Sequence, residues 1–192
     1  MIYNDVQKRL KSIYASIDQK YDYHEVALGQ MNTEFTEGAI KISFYKEEEV
    51  PALRNQINNV ISNLANIKDC LKKKMVKKDN DKKQIESEIN NSIYLQLVID
   101  LDNQEKHGYP LTKIRRSKKD PLIKNVARAL TASNKKDNIT VTRSDGAEIH
   151  NCMTTIVAEI TDSKGNLLYY LDDLINNALN DWKNIIKKYN IT

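Results

Sequence analysis

The stretch that decides the fold is ALRNQINNVISNLANIKDCLKKKMV, residues 52–76. Its apolar residues recur every three or four positions, which places them on one face of an α-helix. These apolar positions are Leu53, Ile57, Val60, Ile61, Leu64, Ile67, Leu71 and Met75. Pro51 suits the first turn, and the acidic run 47–49 suits the positive end of the helix dipole. The stretch therefore predicts a long amphipathic helix with one face on a core.

A second long helix is predicted for residues 84–106. Its apolar positions repeat every four residues, at Ile85, Ile89, Ile93, Leu97 and Leu101. Gly108 stands at the expected terminating position, and Pro110 follows two residues later. Between the two helices, the lysine-rich segment near 76–84 is typical of an exposed linker.

Two β-hairpins flank this helical pair. Residues 23–28 and 40–45 alternate between apolar and other side chains, which predicts two strands joined through the polar segment 33–38. A second hairpin is predicted from a strand near 139–141 that turns back into the run 152–161. If the hairpins pair, a four-stranded antiparallel sheet backed by the helices is the expected product.

Three further helices are predicted. Helical spacing occurs over residues 4–20, and Asp120-Pro121 is typical of a helix start ahead of Leu122, Ile123, Val126 and Leu130. The last helix, from Leu171 to Tyr189, carries Trp182 on its apolar face, where a core position is expected.

The order of elements mixes helices with separate hairpins, which predicts the α+β class. The length of 192 residues fits a single domain spanning 1–192. Within it we expect a helix and hairpin in 1–50, a helical core in 51–131, and a hairpin and C-terminal helix in 136–192.

The composition is that of a globular protein. Hydrophobic residues make up 40% and charged residues 29%, which is too apolar for a disordered chain. No run approaches the ~18 apolar residues that span a bilayer, and the N-terminal residues lack a signal-peptide pattern. Cys70 and Cys152 lack paired spacing and fit a reducing compartment. We expect a cytoplasmic protein that does not enter the membrane.

Common motifs for nucleotide, metal or nucleophilic chemistry are absent from the sequence. It contains no P-loop, no Gly-rich dinucleotide turn, no HExxH and no paired Cys/His ligands. The three histidines, His24, His107 and His150, are far apart in sequence. We therefore expect neither a metal nor a cofactor. The net charge of +4 favours an anionic partner.

The candidate catalytic residues lie at the end of the second long helix. Asn103 and His107 are four residues apart and share one face, with Asp102 and Lys106 on the adjacent face. A His in the last turn can move protons beside an amide donor and nearby arginines, as phosphodiester chemistry requires. The alternative is structural: Asn103 and His107 satisfy the helix end, and Asp102 and Lys106 form a surface ion pair.

A basic segment follows this helix end. Lys113, Arg115, Arg116, Lys118 and Lys119 place five cations among seven residues. Together with Lys106 they are the candidate residues for binding phosphate or nucleic acid. The alternative is a solvated loop, or one that pairs with the acidic run 47–49.

The chain resembles a widespread group of uncharacterised bacterial proteins. The likeness rests on the Pro-led helix with Leu53-Arg54-Asn55, and on the helix end from Leu101 to Gly108 that contains Asn103, Lys106 and His107. The Arg115-Arg116-Ser117 stretch and the closing hairpin with its Trp-bearing helix also look similar. The likeness spans nearly the whole chain, and the group carries no established activity.

A more distant resemblance is to HEPN domains, the helical ribonuclease or nucleotide-binding modules of bacterial toxins and phage defence. Active members carry an Arg, often followed by Asn, then three more residues and a His. Asn103 and His107 occupy the matching positions, whereas Asp102 stands where the Arg belongs. The resemblance implies a phosphate site at this helix end, and the missing Arg implies binding without turnover.

Three functions fit these residues. The first is an RNA- or nucleotide-phosphate-binding protein, HEPN-like and without turnover. The second is a metal-independent ribonuclease of the toxin or phage-defence type, with His107 as its acid and base. The third is an interaction module, such as a homodimer or a toxin–antitoxin component, in which helices 52–76 and 84–106 present their apolar stripes to a partner. The sequence leaves open whether the protein is an enzyme.

Overall fold

The computed structural model describes residues 30–36, 39–45, 47–77, 83–108, 116–133, 140–142, 148–150 and 152–191. Within these ranges the chain has the predicted α+β architecture. A 3₁₀ turn at Glu47–Glu49 leads into the first helix. The helices are α1 (Val50–Lys77), α2 (Lys83–Asn91), α3 (Ile93–His107) and α4 (Leu171–Lys188). The strands are β1 (Gln30–Thr36), β2 (Ala39–Tyr45), β3 (Leu122–Ser133), β4 (Thr140–Thr142), β5 (Glu148–His150), β6 (Cys152–Thr161) and β7 (Leu167–Tyr170).

Helix α1 confirms the long amphipathic helix predicted for residues 52–76. Every position of its predicted apolar stripe is buried, from Leu53 at the first turns to Met75 near the end. The stripe packs on α3 and on strand β3. Because the stripes of α1 and α3 face the core of the described fold, packing within one domain accounts for their burial.

The second predicted helix is two helices, separated at Ser92. The side-chain oxygen of Ser92 accepts a hydrogen bond from the Leu95 N–H at 3.1 Å and so caps α3. Its hydroxyl also donates to Asp181 Oδ2 of α4 at 2.5 Å. The apolar repeat of four continues across this break, which is why the spacing alone predicts one helix.

Helix α4 confirms the predicted C-terminal helix. Its apolar face is buried, and Trp182 is fully buried at the centre, as predicted for a core residue. The helix packs on α3, β6 and β7. Helix α3 therefore lies against both α1 and α4, and its residues 97–102 are all buried.

The five-stranded sheet has the order β1-β2-β3-β6-β7, with every neighbouring pair antiparallel. One strand from each predicted hairpin, β2 and β6, lies in this sheet with β3 between them. The fifth strand is β7, which the sequence pattern did not predict. The predicted pairing of 139–141 with 152–161 is wrong. Strand β4 pairs with β5 in a separate two-stranded ribbon, and β6 pairs with β3 and β7.

The helix predicted to begin at Asp120-Pro121 is also wrong, because Leu122–Ser133 forms strand β3. Between Lys124 and Ala127 this strand advances three residues while β6 advances two, which defines a β-bulge. Asn125 in the bulge has φ 50°. The extra residue leaves Val126 and Ala129 both buried three positions apart, a spacing that imitates a helix.

The first hairpin differs in register from the prediction. Strand β1 covers Gln30–Thr36 and pairs with β2, so most of the segment predicted as the connection is strand. Strand β2 agrees with the predicted strand at 40–45. The helix predicted at 4–20, the strand at 23–28 and most of the linker near 76–84 lie outside the described residues.

Candidate functional site

The basic segment is attached to α3 by a buried carboxylate that the sequence reasoning missed. Asp100 is 1% exposed. Its Oδ1 accepts the Arg116 backbone N–H at 3.0 Å, and its Oδ2 accepts the Ser117 N–H at 2.8 Å and the Ser117 hydroxyl at 2.6 Å. Three hydrogen bonds to one carboxylate therefore fix the start of the described loop, residues 116–121.

The loop turns sharply after Ser117. Lys118 and Asp120 have φ of 57° and 53°, in the left-handed region that residues other than glycine seldom adopt. The Lys119 N–H donates to Ser117 Oγ at 3.3 Å, which helps to hold this turn. The side chains of Lys118 and Lys119 are exposed. The positive φ of Asp120 also excludes the extended backbone that a helix N-cap needs.

Arg116 is engaged with α2. Its Nη1 donates to Glu86 Oε2 at 2.6 Å and lies 3.4 Å from Asn90 Oδ1. Lys72 of α1 pairs with the other oxygen of Glu86. Burial raises the pKa of Glu86, but the hydrogen bonds from Lys72 and Arg116 outweigh it, so that the pKa lies below its ordinary value of 4.5. Arg116 thus ties the loop to two helices.

A second buried carboxylate, Asp102, forms with Lys106 the ion pair that was the structural alternative to phosphate binding. Lys106 Nζ lies 2.6 Å from Asp102 Oδ2, and the Ser62 hydroxyl of α1 donates to Asp102 Oδ1 at 2.5 Å. The ammonium end of this pair is on the surface, whereas the carboxylate is buried. Lys106 therefore carries its own anionic partner.

The last turn of α3 lies beside the end of the loop. Gln104 Nε2 is 3.4 Å from Asp120 Oδ1, and this contact joins the two segments. His107 is exposed and Asn103 is half-buried. The helix end is closed by Gly108, whose N–H donates to the Gln104 carbonyl at 2.8 Å. Glu49 of the acidic run 47–49 forms an ion pair with Arg128 of β3.

The structure therefore brings together part of the predicted site. Asp120, the residue after Lys118 and Lys119, contacts Gln104 in the helix turn that carries His107, whereas the Arg116 guanidinium contacts α2. Lys113 and Arg115 lie outside the described residues. A signal for Asp100 was present in the sequence: a lone carboxylate within the apolar run from Leu97 to Leu101 needs buried hydrogen-bond donors.

Two cavities also occur in the described part of the chain. A small apolar one of about 80 Å³ lies between α1, β6 and α4, with Ile57, Ile156 and Ile175 in its wall. A polar cleft of about 350 Å³ lies between α4 and the α2–α3 junction. In that cleft the Ser92 hydroxyl donates a hydrogen bond to Asp181, and Lys188 forms an ion pair with Glu88. Neither cavity contains a predicted site residue.

Comparison with known proteins yields no relative, since no family model, curated protein or solved structure matches the chain. In the ranges that the structure covers, no helix has the length and apolar character needed to cross a membrane. The same ranges contain no group of three or more metal-ligating His, Cys, Asp or Glu side chains.

Proposed function

We propose that this protein binds the phosphates of RNA or a nucleotide, without catalytic turnover, through a cationic face formed by Lys118, Lys119 and His107. The observation that carries this proposal is the Asp100 clamp. It holds the loop on α3 at Ser117, and the Gln104–Asp120 contact joins the residue after the two exposed lysines to the last turn of that helix. Cations held at fixed positions bind phosphates better than cations on a mobile chain.

The lysines supply the charge for this binding. Neither Lys106 nor Arg116 is counted in the face, since each is paired with a carboxylate of this chain. An exposed Lys attracts a phosphate as a point charge and releases condensed counterions when it binds. The overall charge of +4 adds a weak attraction in the same direction.

The proposed lack of turnover is supported by Asp102. In the HEPN-like alignment of the helix end, this residue stands where active members carry an Arg. It is buried and hydrogen-bonded to Ser62 and Lys106. A carboxylate at that position repels a phosphate and supplies no cation for the developing charge of a phosphodiester transition state.

The test of binding is fluorescence polarisation of a labelled RNA oligonucleotide over a series of salt concentrations. We expect affinity to fall linearly with salt on logarithmic axes. The Lys118→Ala/Lys119→Ala double variant should bind more weakly, with a slope reduced by about 1.4, at ~0.7 for each lost phosphate contact. The control is Lys183→Ala/Lys187→Ala, which removes the same charge from exposed positions on α4. Equal losses in the two variants would refute the cationic face.

Turnover is tested separately by incubating the purified protein with the same RNA. We expect no cleavage above that of the His107→Ala variant. Cleavage by the wild-type protein that disappears in His107→Ala would replace the proposed binding function with the ribonuclease hypothesis.

A further inference from the structure

The geometry of the loop points to a narrower class of ligand: we infer that the cationic face binds the backbone of a nucleic-acid strand rather than a free nucleotide or a single phosphate. This inference rests on the proposed function and concerns the same face. It follows from the described hydrogen-bond donors near the face, which are already paired with acceptors of this protein.

A single phosphate is normally held by several backbone N–H groups that converge on it, at a loop or a helix N-terminus. Segment 116–119 has such convergent donors, but the protein's own carboxylate occupies them. The N–H groups of Arg116 and Ser117 both donate to Asp100, as does the Ser117 hydroxyl. The Lys119 N–H donates to Ser117 Oγ. The position that a phosphate would take is filled by Asp100, and its negative charge opposes a second anion there.

Arg116, the arginine of the described loop, is already engaged in hydrogen bonds within the protein. A guanidinium can hold a phosphate with two parallel hydrogen bonds, which gives affinity for a single group. Arg116 instead directs Nη1 to Glu86 and Asn90 of α2. Among the described residues of the loop this leaves the exposed Lys118 and Lys119, and exposed ion pairs are individually weak.

The helix N-termini provide no alternative phosphate pocket in the described part of the chain. Each of the four helices has a carboxylate of this protein at that end. The carboxylates are Glu49 just ahead of α1, Glu86 in the first turn of α2, Asp181 on the α3 cap Ser92, and Asp172 and Asp173 in the first turn of α4. These groups already complement the positive ends of the helix dipoles.

Weak point-charge contacts accumulate on a polymer. A strand presents a phosphate at every nucleotide, so that Lys118 and Lys119 can contact neighbouring phosphates in many registers, and the second contact benefits from the high local concentration set by the first. A nucleotide offers one cluster of phosphates and lacks these additional registers. The ligand that matches lysines without an amide cradle is therefore a strand.

The experiment compares ligands of different length on the wild-type protein. Oligouridylates of about 5, 10 and 20 nucleotides are titrated by fluorescence polarisation, and ATP and pyrophosphate compete against the longest one. We expect affinity to rise severalfold from the shortest to the longest RNA, because a longer strand offers more pairs of neighbouring phosphates to the two lysines. We expect ATP and pyrophosphate to displace RNA no better than sodium chloride of equal ionic strength.

The outcomes separate the inference from the proposed function. Saturable displacement by ATP or pyrophosphate, lost in Lys118→Ala/Lys119→Ala, would overturn the inference and leave phosphate binding at the cationic face intact. An affinity for RNA that does not depend on length would do the same. If neither RNA nor nucleotide binds, the proposed function itself fails, and the inference with it.

Discussion

The buried carboxylate of Asp100 on α3 accepts a hydrogen bond from the backbone N–H of Ser117 at 2.8 Å, across 17 residues of sequence. The same oxygen accepts the Ser117 hydroxyl, so a polar residue in the centre of an apolar helix positions a surface loop.

Replacing Asp100 with Asn should destabilise the protein. Asn keeps one acceptor but replaces the other with an amide NH₂, which cannot accept the hydrogen bonds of Arg116 and Ser117 together. Leaving a buried N–H unpaired costs on the order of 2–3 kcal/mol in the free energy of unfolding. Urea denaturation measures this loss, and amide hydrogen exchange should become faster at 116 and 117.

The control for this substitution is Asp69→Asn, at an exposed position on α1. Its effect should stay within about 0.5 kcal/mol, as for most surface changes. Equal stability of Asp69→Asn and Asp100→Asn would contradict the role assigned to the clamp.

Glu86→Gln should change the pH dependence of stability. The folded-state pKa of Glu86 is lowered, since its hydrogen bonds with Lys72 and Arg116 outweigh the effect of burial. A lowered pKa stabilises the fold above the ordinary pKa of 4.5, and this contribution is lost as the pH falls through the folded value. The advantage of wild type over Glu86→Gln should therefore be larger near pH 7 than near pH 3, by ~0.5–1 kcal/mol for a partly exposed group.

Urea titrations at both pH values provide the measurement for Glu86→Gln. The matched control is Glu105→Gln, since Glu105 is exposed on α3. If the two variants show the same pH dependence, the ion pairs of Glu86 do not stabilise the fold.

Ser92→Ala should lower the melting temperature. It removes the cap of α3 and the hydroxyl that donates to Asp181. Loss of a Ser cap costs about 1 kcal/mol, or ~2–4 °C for a domain of this size. Ser87→Ala is the control, because Ser87 is exposed within α2, where alanine is the better helix former. A Ser92→Ala melting temperature at or above that of Ser87→Ala would count against the cap.

Gly108→Ala should destabilise the protein because alanine disfavours the backbone conformation of residue 108. Gly108 has φ 78° and ψ 165°, a region that is almost restricted to glycine. No atom lies within 4 Å of where a Cβ would stand, so steric contact adds nothing. We expect a loss of about 1–3 kcal/mol in urea denaturation. Glu105→Ala in the same helix turn is the control, and an equal effect would show that the end of α3 rearranges freely.

The helices of the core could be predicted from the sequence because their signal is local. The apolar positions predicted for residues 52–76 are buried positions of α1. Trp182 is fully buried in the core, as its helical spacing indicates. The break at Ser92 was missed for a physical reason: the apolar repeat keeps its phase across the junction, and only the partner on α4, Asp181, distinguishes a cap from an ordinary helical serine.

The sheet was harder to predict because strand pairing depends on contacts between distant residues. The sequence of β3 resembles that of a helix because its bulge interrupts the alternation of buried and exposed side chains that is typical of a strand. Its pairing with both β2 and β6 joins segments far apart in sequence, and no local pattern specifies those partners.

Part of the candidate site followed the sequence. The sequence left Lys106 as either a phosphate-binding residue or the ion-pair partner of Asp102 four residues away, and the structure contains the ion pair. The direction of Arg116 could not be predicted, because its partner Glu86 lies 30 residues earlier on another helix. The number of basic residues in a loop identifies a basic segment. It does not show which of those residues form ion pairs within the protein.

The position of α4 has a consequence for biosynthesis. Trp182 on this helix is fully buried in a core that also contains residues of α1 and α3, more than seventy residues upstream. While the chain is being translated, the part of the core that α4 covers stays exposed until this helix has left the ribosome. A nascent chain that stalls before this helix is thus a natural client for chaperones.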